Sequence, residues 1–349
     1  MWTNGKPRSI FTPRTKRRPG DKSMDSPAIM SRRLRVGIGT GLLFIIATAL
    51  LSGLSNLVNA VAMKGVSADA FVTLRNALVA LLLVPLFLLV RPPQRAHLRS
   101  VDWARLATIG LIGGAIPFVL FFRGIQLATS EGGTTTASFL YRTLFLFAAV
   151  FAVVFLRERL SGRLFLAAIL LLVGNALLMS FVSPIWTSGA ALVMAATALW
   201  AGEYTLSKRT LRDLPSATVA LGRMGFGAVF LIAYIGFSGQ TDALVALRGE
   251  SLQWMGLSTI LLLGFVVTWY AGLKVVDLSV ATAVLILGYP VTWVFNLVLA
   301  RESFGLPQAA GAAVVVLGVV LAVGVASLRD TWEALTEIII MRVRGVQPR

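Results

Sequence analysis

ATALLSG at residues 47–53 returns as ATALWAG at residues 196–202, and what lies between the two copies decides the fold. Two further pairs keep nearly the same distance. VTLRNAL at 72–78 falls where ALGRMGF falls at 220–226, and LRERL at 156–160 matches ARESF at 300–304, giving offsets of about 149, 148 and 144 residues. Ten apolar runs cover this stretch, at 36–62, 68–90, 103–127, 132–156, 163–181, 187–207, 216–238, 252–274, 279–300 and 306–327. Each has about the twenty residues that cross roughly 30 Å of hydrocarbon. Each copy therefore holds five runs. Five is odd, so the second copy enters the membrane from the opposite face. The expected fold is an all-α integral membrane protein with ten transmembrane helices, arranged as two inverted five-helix repeats, an organisation used by many secondary transporters. The repeats occupy 36–181 and 187–327, flanked by a basic tail at 1–35, expected to be disordered, and a C-terminal tail at 328–349.

Composition agrees with a membrane chain. Hydrophobic residues make up 57% and charged residues 13% of the 349, against roughly 25% charged in soluble domains. Strands of an outer-membrane barrel alternate apolar and polar residues, and these runs do not. There is no cysteine and a single histidine, His97, in a basic loop. That leaves no disulfide and no thiol nucleophile, and neither a metal nor another cofactor is expected.

The net charge of +17 invites a nucleic-acid reading, but the basic residues cluster in the tail and in alternate loops. Arg91, Arg95, Arg99 and Arg105 follow the second span. Arg157, Arg159 and Arg163 follow the fourth, and Lys208, Arg209 and Arg212 follow the sixth. The opposite side holds only Lys64, Arg123, Arg248 and Arg301. This is positive-inside asymmetry with both termini cytoplasmic; no nucleic-acid partner is expected. The tail, with Lys16, Arg17, Arg18, Arg32, Arg33 and Arg35, suits anionic lipid. It is not read as a cleaved signal, because the apolar run after it is too long for a signal core.

Polar residues inside the spans mark the candidate site, since such groups usually face a bundle interior or a watery cavity. Arg142 lies about 15 Å into the fourth span at 1.5 Å per residue. Thr135, Ser138 and Arg142 are spaced three and four apart and share one helix face, with Tyr141 beside it. Arg142 is either a cation for an anionic substrate group or a structural arginine bonded to helix carbonyls or a glutamate. In the ninth span Thr282, Ile286, Tyr289, Trp293 and Asn296 form one continuous stripe. Pro290 there frees a carbonyl one turn earlier. The stripe reads as cavity lining or as packing.

Ser52, Asn56 and Asn59 in the first span either join helices or line a pathway. Glu203 and Arg223 lie at similar depth and suit an ion pair; the sharper alternative is that Glu203 takes a proton and couples transport to it. Arg75, the repeat-mate of Arg223, has no acid at its depth and either bonds carbonyls or draws an anion in. Arg75, Arg142 and Arg223 against Glu203 leave two positive charges. They point to a small organic substrate with a carboxylate or phosphate, which guanidinium groups recognise well. Gly110 and Gly114, and Gly318 and Ala322, have the spacing of close helix contacts, within the chain or in a homodimer.

Arg75 and Arg223 early in spans two and seven, GLKVVDLSVATAVLILGYPVTWVFNLVLARESF at 272–304 with Pro290 and Glu302, and RERL at 157–160 together carry a resemblance. Over roughly 36–327 the chain resembles the drug/metabolite transporter superfamily, specifically its ten-span EamA-like members. That resemblance implies a secondary transporter of small metabolites, amino-acid-like or drug-like, in the bacterial inner membrane, with export as the direction. In the fourth span Tyr141, Arg142 and Thr143 stand where that family usually has a serine and a proline, so the proline-bent site of the ninth span is not expected to be mirrored. The competing classes are a membrane-embedded or lipid-modifying enzyme and a sensor or assembly factor. Neither finds support in a catalytic cluster or a soluble domain.

Overall fold

The computed structural model describes residues 27–63, 65–89, 98–180, 184–245, 249–300 and 305–343. Most of the basic tail, His97, Arg91, Arg95, Lys64, Arg248, Arg301 and Glu302 lie outside them. The described chain is helical, as hydrocarbon demands, because each backbone donor and acceptor there must be bonded within its own segment. Its helices are α1 (Pro27–Ala62), α2 (Ala68–Leu89), α3 (Ser100–Ser130), α4 (Thr134–Leu156), α5 (Gly162–Leu178), α6 (Ser188–Thr210), α7 (Ser216–Phe237), α8 (Glu250–Val275), α9 (Leu278–Leu299), α10 (Leu306–Val323) and α11 (Val325–Val343). A five-residue helix, Thr241–Val245, sits between α7 and α8.

Eight of these helices are long and apolar enough to cross a membrane, not ten. α5 is apolar but has 17 residues. α6 is long enough, yet Gly, Ser, Thr and Glu203 make it too polar. The reason is its position. Along α6, Gly189, Val193, Ala196, Trp200, Glu203, Tyr204 and Ser207 are all buried, so much of it meets other helices rather than lipid. The C-terminal segment also departs from a simple tail. It is helical from Val325, after Gly324 turns the chain at φ 83, and its Asp330 backbone lies against Gly39 of α1.

The packing of the two repeats is reciprocal. α1 of the first repeat lies along α8, the third helix of the second, through Thr48–Thr268 (2.8 Å) and Ser258–Asn59 (2.6 Å). In return α6, the first helix of the second repeat, lies along α3, the third of the first, with Gly189 on Gly124 and Ala128, and Trp200 on Gly113. α2 packs on α7, α4 on α9 and α5 on α10. These last three pairs are repeat-mates running in opposite directions. The start of α2 meets the end of α7 through Asp69–Tyr234 (3.2 Å). The end of α4 meets the start of α9 through Glu158 and Leu278 (2.8 Å). The end of α5 meets the start of α10 through Ser180 and Gln308.

Small residues permit the closest of these approaches. Gly110 and Gly114 face Phe226 and Gly227 of α7, and Gly318 faces Leu171 of α5, so these residues serve contacts inside the chain. A Cβ on Gly114 would stand 2.6 Å from the Arg223 carbonyl oxygen and 2.9 Å from Gly227 Cα. Backbone cannot swing aside as a side chain can. Gly114→Ala is therefore expected to cost about 1–3 kcal/mol, read as a lower melting temperature in detergent, whereas Gly225→Ala, which meets open space, changes little.

α4 and α9 are not continuous. α4 stops at Arg142 and resumes at Leu144; α9 stops at Leu285 and resumes at Gly288. The breaks are mirrored across the repeats, although only α9 carries a proline. Nor does Pro290 cause its break. It sits in the first turn of the second half, where its missing N–H costs no bond. The carbonyl it was expected to free, Ile286 O, accepts from Tyr289 N at 3.0 Å. The break in α4 is stabilised by Thr143, whose hydroxyl and amide both return to Leu140 O, at 2.6 and 3.1 Å. α3 is also irregular, widening to a π-helical turn at Gly110–Ala115. Such turns release carbonyls from the helical ladder and often mark functional sites.

Candidate functional site

Two adjoining cavities open between the repeats. The larger holds about 690 Å³ of empty space, its mouth included, and is lined by α1, α2, α3, α4, α6, α7 and α8. The smaller, about 380 Å³, lies at the breaks of α4 and α9. Ser52, Tyr141, Tyr204 and Phe265 border both.

The larger cavity is polar on one wall and aromatic on another. Ser52, Ser55, Asn56 and Asn59 come from the last three turns of α1, spaced so that they share a face. Asn59 Oδ1 accepts from Arg75 Nη1 at 3.2 Å and from Ser258 Oγ at 2.6 Å. Asn56 Nδ2 reaches Thr292 Oγ1 at 3.4 Å, tying α1 to α9. The aromatic wall is Phe118, Phe121 and Phe122 of α3 with Trp200 and Tyr204 of α6. Its rings lock together: Phe118, Phe121 and Tyr141 all pack on Trp200, with centroids 5.3, 5.4 and 5.5 Å away.

Three arginines enter this region and their surroundings differ. Arg223 is buried and its Nε lies 3.4 Å from Glu203 Oε2. Its Nη2 donates to Gly113 O at 3.0 Å, a carbonyl in the π-helical turn that also accepts from Trp200 Nε1. Glu203 Oε1 further accepts from Tyr270 OH at 2.7 Å and from the Ser207 hydroxyl. This acid is completely buried; both hydroxyls bond Oε1, and Oε2 faces the Arg223 guanidinium at ion-pair distance without a hydrogen bond.

Arg75, the repeat-mate, has an amide where Arg223 has an acid. Its guanidinium carbon lies 5.3 and 5.5 Å from the ring centroids of Phe71 and Phe118, and its buried Nε has no hydrogen-bond partner. Arg223 lies 5.8 Å from the same Phe118 ring, so two guanidinium groups share one aromatic neighbour. Arg142 lines the smaller cavity with Thr282, Ile286 and Tyr289. Its guanidinium carbon stands 4.2 Å over the Tyr289 ring, a cation–π contact, and its Nε is buried without a partner. As the last residue of a half-helix, Arg142 also meets the negative end of that helix dipole. Among the described residues neither Arg75 nor Arg142 has a carboxylate within 4 Å.

The structure thus brings Arg75, Asn56, Asn59, Tyr141 and Arg223 to one cavity and Arg142, Tyr141 and Tyr289 to the next. Thr135 and Ser138, expected on the Arg142 face, line neither. Trp293 and Asn296, half-buried farther along the second half of α9, also line neither, because the cavity lining on α9 ends at Tyr289. Ser55, Trp200, Tyr204, Phe118 and Phe265 line the cavities without standing out in the sequence. Their signal is present, as Phe118, Phe121 and Phe122 and again Trp200, Glu203 and Tyr204 have helical spacing, but buried core aromatics share it. Among the described residues no group of acidic or histidine side chains has the geometry of a metal site.

The bundle is tied at both ends by carboxylates on helix N-termini, where the dipole favours them. Glu158 accepts from Leu278 N at 2.8 Å and from Ser279 N at 3.2 Å at the start of α9. Beside it Lys208 donates to Leu273 O and Val276 O, both at 2.7 Å. Asp277, in the same cluster, has its pKa raised by loss of solvent and by Glu158, with Lys208 opposing. At the other end Glu131 accepts from the Ser188 hydroxyl and from Gly189 N at the start of α6. The Ser188 bond holds the Glu131 carboxyl below its ordinary pKa, against some desolvation. A depressed acid pKa adds stability above the unfolded-state value and loses it as pH falls through the folded-state value. Glu131→Gln should lower the melting temperature near pH 7, and that difference should vanish in acid once the native carboxyl is protonated.

Comparison with known proteins follows the same outline. A sequence model of the EamA-like transporter family matches residues 39–180 and again 187–324. The fold is similar to that of a solved crystal structure with a TM-score of 0.66, 81% of this chain and 96% of that chain being covered at 18% identity. No curated protein matches the chain in sequence.

Proposed function

Since the chain belongs to the EamA-like transporter family, we propose that it is a ten-span secondary transporter moving a small organic anion by alternating access. The substrate carries a carboxylate or phosphate on an amino-acid-like or drug-like body, and export is its direction. α5 and α6 complete the ten spans, one short and one polar because it is enclosed, and the repeats are inverted. Antiparallel packing of α2 on α7, α4 on α9 and α5 on α10 supports that inversion. The basic loops support cytoplasmic termini in a bacterial inner membrane. The aromatic and amide linings of the cavities suit an organic body.

The observation that carries the substrate class is the charge balance of the cavities. Arg75 is buried, Arg142 is half-buried with its Nε enclosed, and among the described residues neither has a carboxylate in reach, while Glu203 belongs to Arg223. A buried cation is stable only when a counter-charge or several acceptors compensate its lost hydration. A substrate anion supplies that compensation. Alternating access then requires one end to part while the other closes. The Glu158 and Lys208 contacts tie α4, α6, α8 and α9 together at the end with the basic loops. The larger cavity lies nearer the other end, three residues before α1 stops.

A thermal-shift screen of the purified protein against a metabolite library tests this reading, because a ligand that binds only the folded state raises the melting temperature by mass action. Anions should dominate the hits. Hits confined to cations or neutral molecules would overturn the substrate class. Reporter fusions placing either terminus outside the cytoplasm would overturn the orientation.

A further inference from the structure

The two cavities are adjoining cationic lobes that share a border of Ser52, Tyr141, Tyr204 and Phe265, and this geometry points to a two-headed substrate. We propose that the transported molecule is a dianion, with anionic groups at opposite ends of a short aromatic or aliphatic body. One group meets Arg75 and the other meets Arg142. The inference rests on the anion-transport reading above and narrows it.

The argument is one of charge and position. Arg75 belongs to the larger cavity, where Asn59 holds one of its nitrogens and Nε remains unbonded. Arg142 belongs to the smaller, where it stands over Tyr289 and Nε is likewise unbonded. A monoanion placed in either lobe neutralises one guanidinium and leaves the other without a counter-charge. A dianion spanning both neutralises both. Guanidinium groups recognise carboxylate and phosphate through paired, charge-assisted hydrogen bonds, so each lobe suits one such group.

The shared border sets what lies between. Tyr141, Tyr204, Phe265 and Ser52 border both cavities. Tyr141 is fixed by Phe121 at 4.8 Å and Tyr289 at 6.2 Å, so the shared border holds a ring already packed in place. Such a border favours a flat or slender linker. Arg223 completes the larger lobe without competing for the anion, because Glu203 already neutralises it.

The test uses one scaffold in three charge states. Purified full-length protein in detergent is titrated with α,ω-dicarboxylates of four to ten carbons and terephthalate, then with their monomethyl esters and dimethyl esters. The ω-phosphocarboxylates of the same lengths form a parallel arm. The readouts are thermal shift and calorimetric affinity, for wild type and for Arg75→Gln, Arg75→Lys and Arg142→Gln. At the best length the dianion should bind at least about tenfold tighter than its monoester, and each Gln variant should erase that preference. Arg75→Lys keeps a charge and should keep part of it, which protects the test if Arg75→Gln does not fold. Equal binding of dianion and monoester, both above the diester, overturns the two-headed proposal and leaves the anion reading intact. Equal binding of all three charge states overturns both. No binding at any length in either arm also overturns the proposal.

Discussion

Arg142→Gln should abolish most substrate binding while leaving the fold intact. The half-buried guanidinium stands over Tyr289 at the C-terminal end of a half-helix with its Nε enclosed, and among the described residues no carboxylate lies within ion-pair distance. Removing it deletes charge-assisted hydrogen bonds worth about 1.5–3 kcal/mol to a bound anion. With 1.4 kcal/mol per tenfold, that is a loss of about 10–100-fold in affinity. The ligand-free protein loses a cation–π contact of about 0.5–2 kcal/mol but also sheds the desolvation of an uncompensated charge. Its melting temperature should therefore hold or rise. A structural arginine predicts the reverse, with a fall in melting temperature and an unchanged affinity in the protein that remains folded.

Glu203→Gln should do the opposite and strike stability first. Glu203 is completely buried, 3.4 Å from Arg223 and bonded by Tyr270 and Ser207. The amide removes the counter-charge of Arg223 and turns an NH2 group toward donors that need an acceptor. Breaking a buried pair from one side costs about 3–5 kcal/mol, a large part of a protein's net stability. Glu203→Gln combined with Arg223→Met should recover much of that loss, because no charge is then left alone. Thermal unfolding of the two single variants and the double variant measures this coupling. A Glu203→Gln protein with native stability and lost pH-driven transport would instead assign Glu203 a role as proton carrier.

The contrast between these two residues shows what the sequence could express. Repeat matches such as ATALLSG and ATALWAG define the two halves by themselves, because duplicated helices keep their residues in register. Hydropathy locates the lipid-facing helices but underrates α6, whose Trp200, Glu203 and Tyr204 face protein and cavity. Depth arithmetic brings Glu203 to Arg223, since both counts start from the same end of the bundle. It cannot tell where a helix will stop and restart. The stripe through Thr282, Tyr289, Trp293 and Asn296 assumes an unbroken α9, whereas the helix breaks at Ile286 and Leu287 and the cavity lining on it ends at Tyr289. Nothing at Thr143 announces the matching break in α4, which depends on a hydroxyl returning to Leu140 O. Thr135 and Ser138 fail as cavity residues for a related reason. Face-sharing along α4 does not establish how far a cavity extends, and this one begins at Tyr141 and Arg142. The aromatic wall from Phe118 to Tyr204 follows a helical spacing that a packed core uses equally, so only the folded chain separates the two uses.

The most direct measurement of the central claim is counterflow in proteoliposomes loaded with an excess of the unlabelled anion found by thermal shift. Wild-type protein should take up the labelled anion transiently against its gradient, saturably and without an imposed voltage, and Arg142→Gln protein of equal stability should not. Equal counterflow by both proteins, or counterflow only with neutral or cationic solutes, would contradict an arginine-lined path for an organic anion.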